Sequence, residues 1–150
     1  MITTEQIKAL REETGLSIMQ CRQALEEAQG DKEKALELLK KKGAEIASKK
    51  GDRTLGAGAV AAYIHSGDTV GAMVELLSET DFVAKNPEFK AVAKDIAMHI
   101  AAMKPADVGE LLEQPFIKGN GETIGEIINN TIQKFGERTE IGKFTRFSIN

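Results

Sequence analysis

Apolar residues return at intervals of three and four through the first part of the chain, and the interruptions fall where a glycine or a capping residue stands. Thr3 and Gln6 have the spacing of a capping box, Ile7 and Leu10 share the face that follows, and Thr14-Gly15 ends the stretch. Ser17-Ile18-Met19-Gln20 repeats the box and leads into Cys21, Ala24, Leu25 and Ala28, with Gly30 as the stop. Asp31 caps a third helix in which Ala35, Leu38 and Leu39 face inward and Lys34, Glu37, Lys40 and Lys41 face water; Gly43 is expected to end it. Helices this short are not stable singly, so the pattern predicts a three-helix bundle over residues 1–43.

Beyond a glycine-bearing stretch the pattern changes. Residues 59–65 and 69–76 read as β-strands joined by Ser66-Gly67-Asp68, a hairpin turn. Their alternation is imperfect, which predicts one sheet face covered by helices and the other partly exposed. Asn86 caps the next helix and Pro87 suits its first position, since proline lacks only an N–H that would be orphaned there. Phe89, Val92, Ala93, Ile96, Ile100 and Met103 form its stripe, and Pro105 ends it. Residues 111–117 read as an amphipathic turn and extended segment, broken at Gly119-Asn120-Gly121. Thr123 caps a last helix carrying Ile124, Ile127, Ile128, Thr131, Ile132 and Phe135, closed by Gly136. Residues 140–149 read as a strand with Ile141, Phe147 and Ile149 on one face and Lys143 and Thr145 in the same phase. The fold class is therefore α+β: an N-terminal three-helix bundle at 1–43, a linker at 44–58, and a core at 59–150 made of a three-stranded antiparallel sheet packed with two main helices.

Between the hairpin and the proline-started helix lies Glu79-Thr80-Asp81-Phe82-Val83-Ala84-Lys85-Asn86. The cap fixes where this turn ends, so Asp81 and Phe82 sit just ahead of an anchored helix. Two readings follow from spacing: Asp81 accepts local backbone N–H groups and Phe82 plugs the joint, or both are offered to a partner.

Composition narrows the chemistry. The chain has 150 residues, 41% of them hydrophobic, with six Phe, one Tyr and no Trp, so the core is aliphatic. No apolar run approaches the roughly 20 residues of a membrane span, and the start Met1-Ile2-Thr3-Thr4-Glu5 has no basic or apolar leader, which argues against export. A single cysteine, Cys21, on the inward stripe, reads as a small core hydrophobe and allows no internal disulfide. The net charge of -3 gives no general support for nucleic-acid binding. Residues 40–58 hold six Lys or Arg against Glu45 and Asp52, a solvated hinge or a nonspecific RNA-binding arm, although no aromatics are interleaved for stacking. Leu55-Gly56-Ala57-Gly58 lacks the lysine of a phosphate loop. Glu75, Glu79 and Asp81 match no metal-loop spacing, and neither a metal site nor a cofactor is expected. His65 reads as a surface residue beside the turn, and His99 lies at the edge of its helix's stripe. The chain reads as a binding protein and not an enzyme.

Two separated stretches carry a family resemblance. Thr80-Asp81-Phe82-Val83-Ala84-Lys85-Asn86 resembles the signature of the elongation factor Ts family, nucleotide exchange factors of the translational GTPase EF-Tu. Thr14-Gly15-Leu16-Ser17-Ile18-Met19-Gln20-Cys21-Arg22-Gln23-Ala24-Leu25 resembles that family's N-terminal domain, with Ser17 at a small-residue position and Arg22 for the usual lysine. Gln114-Pro115-Phe116-Ile117-Lys118 and Lys134-Phe135-Gly136-Glu137-Arg138 are also similar, whereas Gly142-Lys143 stand where two arginines are common.

The resemblance implies a cytoplasmic factor that binds EF-Tu and promotes GDP release, with Thr80, Asp81, Phe82 and Val83 inserted beside the GTPase's Mg²⁺ and phosphate region. It implies a bundle of the ubiquitin-associated (UBA-like) type holding EF-Tu through Leu16, Ser17, Ile18 and Met19, and it makes His99 a secondary candidate. Longer members carry a second core subdomain; short members pair instead as homodimers, giving a 2:2 complex. Two alternatives stay open from the residues themselves: a ubiquitin-like or peptide-binding adaptor, and a nonspecific RNA-binding protein.

Overall fold

The structure, a computed structural model, describes residues 1–149, so Asn150, the last residue of the expected core, lies outside the described residues. The chain opens with α1 (Thr4–Thr14), α2 (Ile18–Glu27) and α3 (Lys32–Lys49). Thr3 and Ser17 close full capping boxes with Gln6 and Gln20, and the Asp31 side chain accepts from the Lys34 N–H. Ile7, Leu10, Leu16, Cys21, Leu25, Ala35 and Leu39 form the core of this bundle.

Gly43 does not end α3, which continues to Lys49. The expected stop is a crossing point: α3 packs on α7 (Ile124–Phe135), and a Cβ on Gly43 would stand 2.8 Å from Gln133 Oε1 and 3.5 Å from the Asn129 carbonyl. Glycine serves here for close approach of two helices, not for chain reversal. Past the crossing, Ile46 and Ala47 pack against the large core while Ala35 and Leu39 belong to the small one. One helix thus enters both apolar clusters, and residues 44–49 of the expected linker are helical.

β1 (Ala57–Ile64), β2 (Val70–Ser78) and β3 (Glu140–Ser148) form an antiparallel sheet in the order β1-β2-β3. On one face, Ala72, Val74, Leu76 and Ile141 are buried beneath α5 (Pro87–Met103), which contributes Phe89, Ala93, Ile96, Ala97 and Ile100. Met103, expected on that stripe, is exposed at the last residue of the helix, which Lys104 closes as a left-handed C-cap. α6 (Val108–Glu113) is a short helix where a turn was expected, and Pro115 then bridges to Thr123 ahead of α7.

The expected phase of the last strand fails. Leu76 pairs with Ile141 but Val74 pairs with Phe144, so β3 carries one extra residue at Gly142-Lys143 opposite Glu75. The Lys143 N–H donates to Glu75 Oε1 at 2.8 Å, and a Cβ at position 142 would stand 2.6 Å from that oxygen. This β-bulge flips the side-chain phase. Ile141 is buried before it, while Phe147 and Ile149 emerge on the opposite side, exposed. The face away from α5 consequently shows Val60, Ile64, Met73 and Phe147 to solvent.

Candidate functional site

The β2–α5 corner is built as a one-turn helix, α4 (Asp81–Ala84), not as an open turn. Thr80 is its N-cap in extended conformation, with Oγ1 accepting from the Val83 N–H at 3.5 Å. Immediately after it Asn86 accepts from the Glu88 N–H at 2.8 Å and Pro87 begins α5. A single turn divides its four side chains by direction: Val83 and Ala84 are buried toward the sheet, and Asp81 and Phe82 point outward. Phe82 is 88% exposed, the most exposed aromatic ring of the described residues. A phenyl ring left in water forgoes about 2 kcal/mol of burial, so the joint-plug reading does not describe this residue; Val83 fills that role.

Below α4 the polar groups are tightly paired. Glu137 Oε1 accepts from the N–H groups of Glu79 (3.1 Å) and Thr80 (3.0 Å), and its Oε2 accepts from the Thr80 hydroxyl at 2.7 Å. In return, Glu79 Oε2 accepts from the Arg138 N–H at 2.5 Å, and Glu79 Oε1 lies 3.6 Å from Arg53 Nη1. The Ser78 hydroxyl donates to the Thr80 carbonyl at 3.0 Å. Glu137 escapes sequence reasoning because its partners lie 57 and 58 residues away; the resemblance around it assigned no task to the carboxylate.

The second candidate surface is the turn between α1 and α2. Leu16 is 1% exposed, which corrects its expected place on that surface: it closes the bundle core. Ser17, spent on capping α2, is exposed, Ile18 is half exposed, and Met19 is 77% exposed. The apolar surface of the turn therefore consists of Ile18 and Met19.

His99 is fully buried and faces inward. Its Nε2 is 2.9 Å from Gln114 Oε1, its Nδ1 accepts from the Ile117 N–H at 3.3 Å, and burial pushes its pKa below the ordinary value. It ties α5 to the 114–117 segment. Glu75 and Glu79 are engaged with backbone donors on β3 and at Arg138, so they do not converge with Asp81. Among the described residues no three His, Cys, Asp or Glu side chains group as a metal site, and no helix is long and apolar enough to cross a membrane.

The family model for elongation factor Ts matches residues 79–150, the stretch that contains both the corner and its Glu137 support. Elongation factor Ts of Carboxydothermus hydrogenoformans is 41% identical over 194 aligned positions, which cover 99% of this chain and 89% of that protein. The Desulforamulus reducens protein of the same name is 38% identical, with 99% and 89% covered, and that of Oleidesulfovibrio alaskensis 36%, with 99% and 98% covered. The alignments are longer than the 150 residues here, so these relatives hold a stretch without counterpart in this chain.

Proposed function

This chain belongs to the elongation factor Ts family, and from that premise we infer its function: it is a cytoplasmic, non-catalytic nucleotide-exchange factor for EF-Tu in translation elongation. Exchange of this kind needs no chemistry from the factor. It needs preferential binding to a GTPase state that holds GDP badly, and linkage makes the effect mutual: the factor lowers GDP affinity as much as GDP lowers factor affinity.

The corner is the element we assign to that task. Thr80, Asp81, Phe82 and Val83 form the wedge, in which Phe82 enters beside the Mg²⁺ and phosphate region of EF-Tu and displaces the side chains supporting the ion. Asp81 accompanies the ring, Thr80 caps the turn and Val83 roots it in the core. The observation that carries this reading is the 88% exposure of Phe82 on a capped turn between two anchored elements. An aromatic anchor brings much apolar area with only two soft torsions, and its truncation commonly costs about 2 kcal/mol or more.

The remaining assignments follow from surfaces. Residues 1–43, a UBA-like bundle, hold EF-Tu through Ile18 and Met19 with Ser17 beside them, while Leu16 supports that turn from within. Of the expected linker at 44–58, residues 50–56 between α3 and β1 act as the connector, and 59–150 act as the core and dimerisation domain. His99 acts indirectly, by bracing the 114–117 segment. The open sheet face with Val60, Ile64, Met73 and Phe147 is an apolar surface of the kind that a second copy would cover, giving a homodimer and a 2:2 complex. The adaptor alternative has no observation in its favour beyond a three-helix shape.

Release of a fluorescent GDP analogue from EF-Tu tests the wedge. Phe82→Ala is expected to leave the melting temperature unchanged, since the ring touches solvent, and to slow stimulated release by about 30-fold for 2 kcal/mol lost. Release at the unmodified rate would remove the wedge from the account.

A further inference from the structure

An exposed ring can push on a neighbour only if the turn beneath it resists being pushed back. One helical turn does not hold itself together, and α4 has four residues. From the bonds beneath it we infer that Glu137 is a positioning residue for exchange: its carboxylate clamps the Glu79-Thr80 joint and so fixes the direction in which Phe82 points. The inference deepens the wedge reading and rests on it.

Three donors converge on this carboxylate, and all three belong to the two residues that lead into α4. Bonds to a charged acceptor are roughly twice as strong as neutral ones. The Thr80 hydroxyl donates to Glu137 Oε2 at 2.7 Å, which turns its lone pairs toward the Val83 N–H it caps; the clamp and the cap are one chain of bonds. Glu137 is itself anchored, because it follows Gly136, the left-handed C-cap of α7, whose N–H donates to the Ile132 carbonyl at 2.8 Å. The return bond from the Arg138 N–H to Glu79 crosses the first, so each segment holds the other at two points. A joint of this kind transmits load from α4 into α7, where Ile128 and Ile132 are buried in the core.

The measurement is the concentration dependence of GDP-analogue release from EF-Tu, which separates the limiting rate from the half-saturating factor concentration. Glu137→Ala is expected to lower the limiting rate about tenfold, with half-saturation moved by no more than about twofold. Glu137→Gln keeps an oxygen for the two N–H donors and is expected to recover most of the rate. Thr80→Val removes only the hydroxyl, should slow release less, and should add less than its full effect on top of Glu137→Ala. Thermal melting is followed in parallel. An alanine variant that melts earlier yet retains the limiting rate overturns the assignment, as does a Gln variant no better than Ala. Should Glu137→Ala not fold, an undiminished limiting rate in Thr80→Val overturns it instead. Phe82→Ala in the same series keeps the failures apart: full rate with Phe82→Ala removes the wedge, whereas loss there beside full rate in Glu137→Ala removes the clamp alone.

Discussion

Acid should loosen this protein through His99, and the geometry gives both sign and size. The ring is fully buried on α5, with its centroid 6.0 Å from that of Phe116. Nδ1 accepts from the Ile117 N–H, so the imidazole proton sits on Nε2 and is donated to Gln114 Oε1. This is a neutral histidine, and a second proton would destroy the Ile117 bond. Burial lowers its pKa below 6.5 despite the Gln114 bond, which favours the charged form. The unfolded chain therefore takes up the proton first. The stabilisation is complete above the unfolded value of 6.5 and is lost as pH falls through it, with a slope of at most about 1.4 kcal/mol per pH unit for one proton. Replacing His99 by alanine removes the buried ring and leaves the Gln114 oxygen and the Ile117 N–H without it, a loss of about 3 kcal/mol. Urea denaturation of wild type and His99→Ala between about pH 8 and about pH 5, at fixed ionic strength, isolates the residue, because the carboxylates and His65 are common to both. The gap should be about 3 kcal/mol at the alkaline end and shrink on acidification. A gap that stays constant across the range, or one near zero throughout, refutes the reasoning.

Two further expectations concern the proposed surfaces. Met19→Asp changes an exposed side chain and should leave stability within about 0.5 kcal/mol while weakening EF-Tu binding by about 1 kcal/mol or more; Leu16→Ala, in the bundle core, should instead cost about 2–5 kcal/mol of stability. Calorimetric titration with denaturation of both variants checks the pair, and unaltered affinity in Met19→Asp would dismiss the α1–α2 turn as a contact. Light scattering should give the wild type the mass of a dimer, and Val60→Lys, which sets a charge on the open sheet face, the mass of a monomer; a wild type already monomeric at high concentration sets the 2:2 complex aside.

How far the sequence reached depended on whether the deciding partner was local. Thr3, Ser17, Asp31, Asn86 and Thr123 cap their helices through donors two or three residues on, so those starts were legible from spacing alone. Gly43 was not, since a glycine that ends a helix and one that admits a neighbour look alike until Asn129 and Gln133 are known to lie across from it. The bulge had a signal, a glycine inside a strand, and reading Gly142 that way would have reversed the side assigned to Phe147. At the corner, caps and proline located the turn, but spacing could not say which of Phe82 and Val83 faces the sheet. That depends on α4 being helical, with Thr80 as its N-cap and the Thr80 N–H bonded to a carboxylate 57 residues later.

The same long-range joints bear on how two proposed contacts serve one reaction. Had the bundle hung from a free tether, binding by Ile18 and Met19 would raise the local concentration of the corner without aiming it. Instead α3 is seated in both cores, crosses α7 at Gly43, and is followed by a short connector whose Arg53 is bonded through its carbonyl to Arg138 Nη1 and paired with Glu79. Arg53 thus ties the connector to Glu79, the residue before the N-cap of α4, and to Arg138. Orientation fixed before the encounter leaves less freedom to be lost when both surfaces engage, so under the proposed assignment affinity gathered at Ile18 and Met19 would help drive Phe82 into EF-Tu. If the proposed wedge operates, α3, seated in both cores, and the bonds among Glu79, Thr80, Glu137 and Arg138 are the elements that back it.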